Sequence, residues 1–283
     1  MKINLGAGPN WQHTGWHTLD HKLQKNEKFK IKGNLNKINL KNKVCDLVFI
    51  SHTLEHIPHI QIQNVLNEIN RIMKTGATIR ILVPNLEVIA KAYVRKDKKF
   101  FKNAIDEDHS IRTDLGFGGM LMNFIVSPGQ DTILLDRNLN KFIAGYAHLY
   151  AYDFNMMKIL LKKCGFKNIT KKNFCKSKIA DFRVPCHILG KSSKYNNLNN
   201  KFYKKNKLVH TYKNGKYKIN FKFTGFDKDP KTSLIVEARK ENYKKINKVN
   251  NINFSKKNYN NYAFSLLFNK NTKKILKKKK IKY

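Results

Sequence analysis

Residues 2–10 read KINLGAGPN, in which a short apolar segment runs directly into a glycine-rich turn. The apolar residues predict a strand over Lys2–Leu5, and the glycines at positions 6 and 8 allow the backbone to approach a ligand closely. A second strand is predicted at Trp16–Asp20, and it ends on an acid. This combination is typical of a nucleoside-binding crevice, in which the acid accepts hydrogen bonds from ribose hydroxyls.

The glycine pattern alone is equally compatible with an ordinary turn. Asp20 follows Gly8 by 12 residues, whereas the dinucleotide fingerprint places its acid about 20 residues further on. A full crossover helix barely fits in the shorter interval, and the N-terminus of that helix would hold a pyrophosphate. The spacing therefore favours a nucleoside ligand without a pyrophosphate.

Strands and helices alternate along the rest of the first 240 residues. Apolar runs predict strands at 44–50, 77–83, 166–171 and 233–238, and apolar stripes predict helices after Pro58 (ending at Gly76), after Asn85 and after Asp153. This order predicts an α/β fold with a mostly parallel sheet flanked by helices. Residues 106–150 and 191–222 lack periodicity, so we expect irregular insertions there.

The chain carries a net charge of +38, with 57 basic and 19 acidic side chains. Lysine accounts for 50 of the basic residues and asparagine is frequent, with 35 copies, which is the composition that codon bias of an AT-rich genome produces. The charge is concentrated in residues 191–283, with 27 basic and 4 acidic side chains. We expect residues 241–283 to form a solvated, Lys/Asn-rich C-terminal extension.

Four widely spaced cysteines without a C-x-x-C pair indicate neither a disulfide framework nor a cysteine zinc site, so we expect reduced thiols. No apolar run is long enough for a membrane-spanning helix, and the first strand leaves no room for a signal peptide. The sequence therefore predicts a cytoplasmic protein without a transmembrane segment.

Ten short motifs lie along residues 2–240, at 4–9, 15–16, 19–20, 45–56, 71–76, 83–87, 118–120, 148–154, 160–166 and 233–238. Together they resemble class I S-adenosylmethionine-dependent methyltransferases, and they occur in the order that this family shows. The resemblance is strongest to the small bacterial proteins of the predicted methyltransferase, or type 11, branch, whose first crossover is shortened.

The resemblance implies a Rossmann-like domain over residues 1–240 that uses S-adenosylmethionine as its cofactor. Gly6, Ala7 and Gly8 would cradle the amino-acid moiety of this cofactor, and Asp20 would bind the ribose hydroxyls. The adenine would lie beside Asn34 and Leu35, although many relatives have Asp in place of Asn34. Residues Ile50, Ser51 and His52 would line the cofactor pocket, and Asn10 occupies the usual third glycine position.

His52 and His148 are candidate general bases for a hydroxyl or ammonium nucleophile, because histidine titrates near neutral pH. The alternative is that both are structural and that catalysis needs orientation alone. Residues 52–56 also match the inverted zincin motif H-x-x-E-H, which requires a long helix. A strand ends just before the motif and Pro58 follows, so we predict no metal site.

The reaction implied by the resemblance is methyl transfer to an oxygen or nitrogen nucleophile of a small molecule or saccharide precursor. An alternative is a noncatalytic or nucleic-acid-directed module that uses its basic surface. Tyr203, Tyr212, Tyr217 and Phe221 alternate with lysines, as stacking on bases would require, but such aromatics are more often strand or core residues. A solvated surface is the favoured interpretation of the charge.

Overall fold

The structure, a computed structural model, describes residues 1–8, 11–21, 23, 25–26, 28–103, 116–126, 148–183, 209–211, 217–219 and 225–241. All of them belong to one compact unit, Met1–Asn242. The aromatic residues singled out between 203 and 221 and the extension beyond Glu241 lie outside the residues whose side chains are described.

One seven-stranded sheet forms the centre of this unit, in the order β3-β2-β1-β4-β5-β9-β6. The strands are β1 (Lys2–Leu5), β2 (Trp16–Asp20), β3 (Lys30–Lys32), β4 (Cys45–Ser51), β5 (Met73–Pro84), β6 (Phe166–Lys172) and β9 (Ser233–Lys240); β7 (Val209–Thr211) and β8 (Tyr217–Ile219) form a separate antiparallel pair. The helices are α1 (His59–Ile72), α2 (Leu86–Val94), α3 (Lys98–Asn103), α4 (Gly116–Val126) and α5 (Phe154–Lys163).

The first five strands are parallel, and β9 inserts antiparallel between β5 and β6. Because β6 pairs antiparallel with β9, it runs in the same direction as β1 to β5. The strand order reverses between β1 and β4, which is the position where doubly wound sheets bind their ligands. The predicted Rossmann-like α/β fold is confirmed.

The helix α1 ends earlier than the sequence pattern predicts. The pattern places its end at Gly76, but α1 ends at Ile72 and Met73 already has extended backbone. Gly76 lies inside β5 with a φ of +76°, next to an irregularity in the pairing of β4 with β5. The glycine therefore serves a bend in a strand rather than the end of a helix.

The two faces of the sheet are covered differently. On one face, α1 and α5 pack against apolar side chains of the central strands. On the other face, an aromatic cluster covers the strands, with Phe226 at 4.7 Å from Trp16 and 5.0 Å from Phe49 between ring centroids. The cluster also includes Trp11 and Phe182.

A buried ion-pair network anchors this second layer to the sheet. Arg80 lies in the middle of β5, is fully buried, and donates from Nε to Asp227 Oδ1 over 2.7 Å. It also pairs with Glu237 on β9. The Asp227 carboxylate in turn accepts from the backbone N–H of Cys175 over 2.6 Å. One guanidinium thus ties two connecting segments to the central strands.

Part of the region predicted to be irregular is helical. Within residues 106–150, α4 spans Gly116–Val126, and its apolar side chains pack with α2 and α3 around Ile89, Ala92 and Phe101.

No helix in the described part of the chain is long and apolar enough to cross a membrane. Cys45, Cys164 and Cys175 are buried free thiols.

Candidate active site

The turn after β1 lies at the carboxyl edge of the sheet, beside the reversal of strand order. Gly6 and Gly8 have φ values of +70° and +72°, a region that favours glycine. A Cβ on Gly6 would lie 2.3 Å from Cγ2 of Thr53, whereas a Cβ on Gly8 would meet no heavy atom within 4 Å. Gly6 is therefore required by packing, and the space beside Gly8 is open.

Asp20 connects the ends of three neighbouring strands. Its carboxylate is buried, and Oδ2 accepts a hydrogen bond from the backbone N–H of Gly8 over 2.8 Å. Its backbone carbonyl accepts from the N–H of Gly33, just after β3, over 3.2 Å. The acid predicted from the sequence thus lies directly beside the glycine turn.

The other predicted cofactor contacts occupy the same edge with different exposure. Asn34 is exposed, and its backbone forms an isolated antiparallel β-bridge with Lys37. Leu35 is half-buried against the core. The side chain of Ile50 is fully buried in the core, so only its backbone lies at the edge. Ser51 Oγ is buried and has no hydrogen-bond partner among the described residues.

His52 follows β4 with a φ of +47°. Its Nδ1 lies 3.1 Å from Glu55 Oε1, and its Nε2 lies 3.0 Å from the Ser233 hydroxyl. Asp229 Oδ2 is 3.6 Å from the same Nε2. Both ring nitrogens therefore face polar groups, which fixes the orientation of the imidazole.

Glu55 and His148 are brought together by the backbone. The N–H groups of Leu149 and Tyr150 both donate to the Glu55 carbonyl, over 2.7 and 3.3 Å, and so hold the segment carrying His148 against the 3-10 turn Leu54–His56. The rings of His56 and His148 lie 4.9 Å apart, edge to face. Nδ1 of His148 is 3.1 Å from the carbonyl of Phe124 on α4.

The charges of this cluster shift its titration. Burial alone raises the pKa of Glu55, but the close contact with His52 and the electrostatic attraction of the neighbouring histidines outweigh burial and bring this pKa to about 2. The pKa of His148 is lowered, because the effect of burial outweighs the attraction of Glu55, which alone would raise this pKa. Glu55 is therefore ionised although it is fully buried.

The geometry excludes the zincin arrangement for residues 52–56. His52 follows a strand and His56 ends a 3-10 turn, so the two histidines are not one helical turn apart. A different group forms instead: Glu55, His56 and His148 offer ligand atoms that all lie within 4.8 Å of one another. No sequence pattern indicates this group, because the position of His148 depends on tertiary backbone contacts.

Residues 15–81 match a family model described as a methyltransferase domain. No curated protein matches the sequence. The segment matched contains Asp20, Ser51, His52 and Glu55, and it excludes the glycine turn and His148.

Solved methyltransferase structures are similar to the chain at low identity. One is an S-adenosylmethionine-dependent, possible histamine N-methyltransferase of Thermotoga maritima, with 11% identity over 85% of this chain and 81% of that chain and a TM-score of 0.40. Another, from Mesorhizobium loti, has 12% identity over 84% and 90% of the two chains and a TM-score of 0.41. Human N-acetylserotonin methyltransferase in complex with S-adenosylmethionine is 12% identical over 85% of this chain and 47% of that chain, with a TM-score of 0.36.

Proposed function

We propose that the chain is a class I S-adenosylmethionine-dependent methyltransferase, because residues 15–81 match a family model described as a methyltransferase domain. We further propose that it transfers the methyl group to an oxygen or nitrogen nucleophile of a small molecule or saccharide precursor. The observation that carries this proposal is the hydrogen bond from the Gly8 N–H to the Asp20 carboxylate. It joins an open glycine turn and a buried acid at the reversal of strand order, where a nucleoside fits.

The residues at this edge fit S-adenosylmethionine. The open space beside Gly8 would admit the amino-acid moiety against Gly6, Ala7 and Gly8, and the buried Ser51 hydroxyl would gain a partner. We propose that Asp20 binds the ribose hydroxyls and that Asn34 and Leu35 lie beside the adenine. Ile50 contributes its backbone only, and His52 marks the end of the crevice nearest the acceptor.

When bound, S-adenosylmethionine supplies a methyl carbon that its sulfonium already activates, so that an acceptor lone pair displaces the sulfur in line. The chain has to orient the acceptor and remove its proton. We propose that His52 accepts this proton at Nε2 once the acceptor replaces the Ser233 hydroxyl, while Glu55 holds Nδ1. His148 is the second candidate base.

Two measurements test this function. Isothermal titration calorimetry of S-adenosylmethionine with the full chain should give a dissociation constant of about 1 μM, which corresponds to a binding free energy of roughly −8 kcal/mol. Incubation with a panel of hydroxyl and amine acceptors should yield S-adenosylhomocysteine, detected by mass spectrometry. Absence of cofactor binding overturns the proposal.

The role of His52 needs a kinetic comparison. With an acceptor in hand, His52→Ala should lower kcat by about 10²–10⁴-fold and leave cofactor affinity within about twofold of wild type. His59→Ala, an exposed histidine stacked on Tyr150, is the matched control and should keep wild-type turnover. Equal turnover of His52→Ala and wild type would leave orientation alone as the catalytic contribution.

We also propose that residues 1–240 form the catalytic domain and that the basic extension 241–283 is dispensable for it. The last described strand, β9, ends at Lys240, whose ammonium donates to the carbonyls of Asn70 and Met73. A chain ending at Glu241, without residues 242–283, should therefore unfold cooperatively and bind cofactor as the full chain does. If the truncation also abolishes binding to single-stranded RNA, the extension is an electrostatic contact to nucleic acid.

A further inference from the structure

Glu55, His56 and His148 form a compact group beyond the end of β4. One carboxylate oxygen and one ring nitrogen from each histidine lie within 4.8 Å of one another. Glu55 is fully buried, and neither of its carboxylate oxygens has a hydrogen bond of good geometry among the described residues. His52 Nδ1 lies 3.1 Å from Oε1 of this carboxylate.

A buried carboxylate is costly unless a cation or several donors satisfy it. The contact with His52 leaves most of the acceptor capacity of Glu55 unused among the described residues, since a carboxylate has about four lone-pair positions. Each of the two neighbouring histidines has a ring nitrogen within 4.8 Å of this carboxylate and of the other ring nitrogen. A cation bound by the three side chains would occupy the carboxylate lone pairs that no described donor uses.

The donor set determines which cation fits. Two imidazoles and one carboxylate are the ligands that Zn²⁺ uses in three-ligand sites, and other divalent transition metals share this preference. Ca²⁺ and Mg²⁺ prefer oxygen ligands and more of them. Tetrahedral ligands at about 2 Å from zinc are about 3.4 Å apart, so the three side chains need to close by little more than 1 Å.

The surroundings of the group also match a metal site. A backbone carbonyl can only accept, so the 3.1 Å contact with Phe124 requires the proton of His148 to sit on Nδ1, which leaves the Nε2 lone pair for a metal. His52 orients the Glu55 carboxylate and is itself held by Ser233. The backbone bonds from Leu149 and Tyr150 fix the distance between the two segments.

We propose that Glu55, His56 and His148 bind one divalent transition-metal ion of the Zn²⁺ class. Three protein ligands leave a coordination position for water or for an oxygen of the methyl acceptor; only this last use rests on the proposed function. The assignment makes His148 a ligand and leaves His52 as the candidate base.

The test uses the full chain, stripped with a chelator and titrated with Zn²⁺ against a competing chromophoric indicator. Wild type should bind one equivalent with a dissociation constant below about 1 μM. Co²⁺ should give the visible absorption of a tetrahedral site with nitrogen and oxygen ligands. Both measurements are made without S-adenosylmethionine, so their outcome is independent of methyl transfer.

Variants identify the ligands. His56→Ala, His148→Ala and Glu55→Gln should each weaken Zn²⁺ binding by more than about 100-fold. His52 contacts Glu55 but is not a proposed ligand, so His52→Ala should weaken Zn²⁺ binding by about 10–100-fold. His59→Ala, a nearby exposed histidine outside the group, should stay within about threefold of wild type. Circular dichroism checks that each variant is folded.

Two results overturn the proposal. One is a wild-type chain that binds no stoichiometric Zn²⁺ or Co²⁺, a measurement that needs no variant to fold. The other is binding that the folded His56→Ala and His148→Ala variants retain in full, which would place the ion elsewhere. Zinc binding without any affinity for S-adenosylmethionine would support the site and contradict the proposed function separately.

Discussion

The backbone N–H of Gly8 donates to Oδ2 of Asp20 over 2.8 Å. Through this bond the acid that ends β2 holds the turn that follows β1, so one carboxylate fixes the geometry of the crevice in addition to any contact it makes with a nucleoside. Substitutions at Asp20 therefore act on two properties, the shape of the turn and the charge beside it.

Asp20→Ala and Asp20→Asn separate these two properties. Asparagine keeps an acceptor for the Gly8 N–H and loses the charge, whereas alanine loses both. We expect Asp20→Ala to weaken S-adenosylmethionine binding by about 1.5–3 kcal/mol, as loss of a charged acceptor does, and Asp20→Asn to weaken it less. Calorimetry measures both affinities.

Asp46→Asn is the matched control for this pair, because Asp46 lies at the opposite end of β4 and contacts the N-terminal amine and Lys74. It should bind cofactor as wild type does. Equal affinity of Asp20→Ala and wild type would contradict the ribose assignment.

Gly6→Ala should destabilise the fold through both backbone and packing. A non-glycine residue with left-handed φ costs about 1–2 kcal/mol, and the new Cβ would clash with Thr53, whose Cγ2 is 2.3 Å away. Gly15→Ala provides the control, because Gly15 has a φ of +78° but open space around its Cβ position.

Urea unfolding should show a loss of about 1 kcal/mol for Gly15→Ala and at least 1–3 kcal/mol more for Gly6→Ala. Thr53→Ala in the Gly6→Ala background should recover part of the difference, because it removes Cγ2 and Oγ1. Equal losses for the two glycine variants would show that the turn relaxes away from Thr53.

The residues at the carboxyl edge of the sheet could be predicted from the sequence, because each strand is recognisable from its own short run of apolar residues. Apolar runs define β1, β2 and β4, and the parallel direction of these strands brings Gly6, Asp20 and Ser51 to one edge without any knowledge of side-chain contacts. The same logic fails at Gly76, where a glycine that suits a helix end lies instead in a strand.

Contacts between distant segments could not be predicted in this way. Arg80 and Asp227 are 147 positions apart, and a charged residue in the middle of a strand gives no indication of its partner. Similarly, Glu55 meets His148 only because two backbone N–H groups of the following residues bond to the Glu55 carbonyl. Both relationships depend on where β9 and the segment before α5 pack.

Arg80→Leu should be strongly destabilising. It leaves Asp227 buried without its cation and leaves Glu237 with Lys172 alone, at 3.7 Å. Removal of one partner of a buried pair typically costs about 3–5 kcal/mol. The exposed pair of Lys91 with Glu87 is the control: Lys91→Ala should change the free energy of unfolding by no more than about 0.5 kcal/mol. Urea denaturation that gives similar values for both variants would contradict a role of Arg80 as the anchor of the second layer.

Asp181 should make stability depend on pH. Partial burial raises the pKa of Asp181, but the hydrogen bonds that Oδ2 accepts from Lys2 (2.8 Å) and Trp16 (2.7 Å) outweigh it, so this pKa is lowered in the folded state. A carboxyl whose folded pKa is lowered stabilises the protein above its unfolded pKa of about 3.9, and this contribution is lost as the pH falls through the folded pKa.

Asp181→Asn should therefore be less stable than wild type at pH 7, by about 1 kcal/mol because the pair is partly exposed to solvent. The difference should shrink as the pH falls below about 4. Urea unfolding at pH 7, 5.5, 4 and 3 measures it. In the Lys2→Met background the effect at pH 7 should be smaller, because the ammonium partner is gone. A difference that stays constant or grows toward acid pH would show that the Asp181 charge does not stabilise the fold.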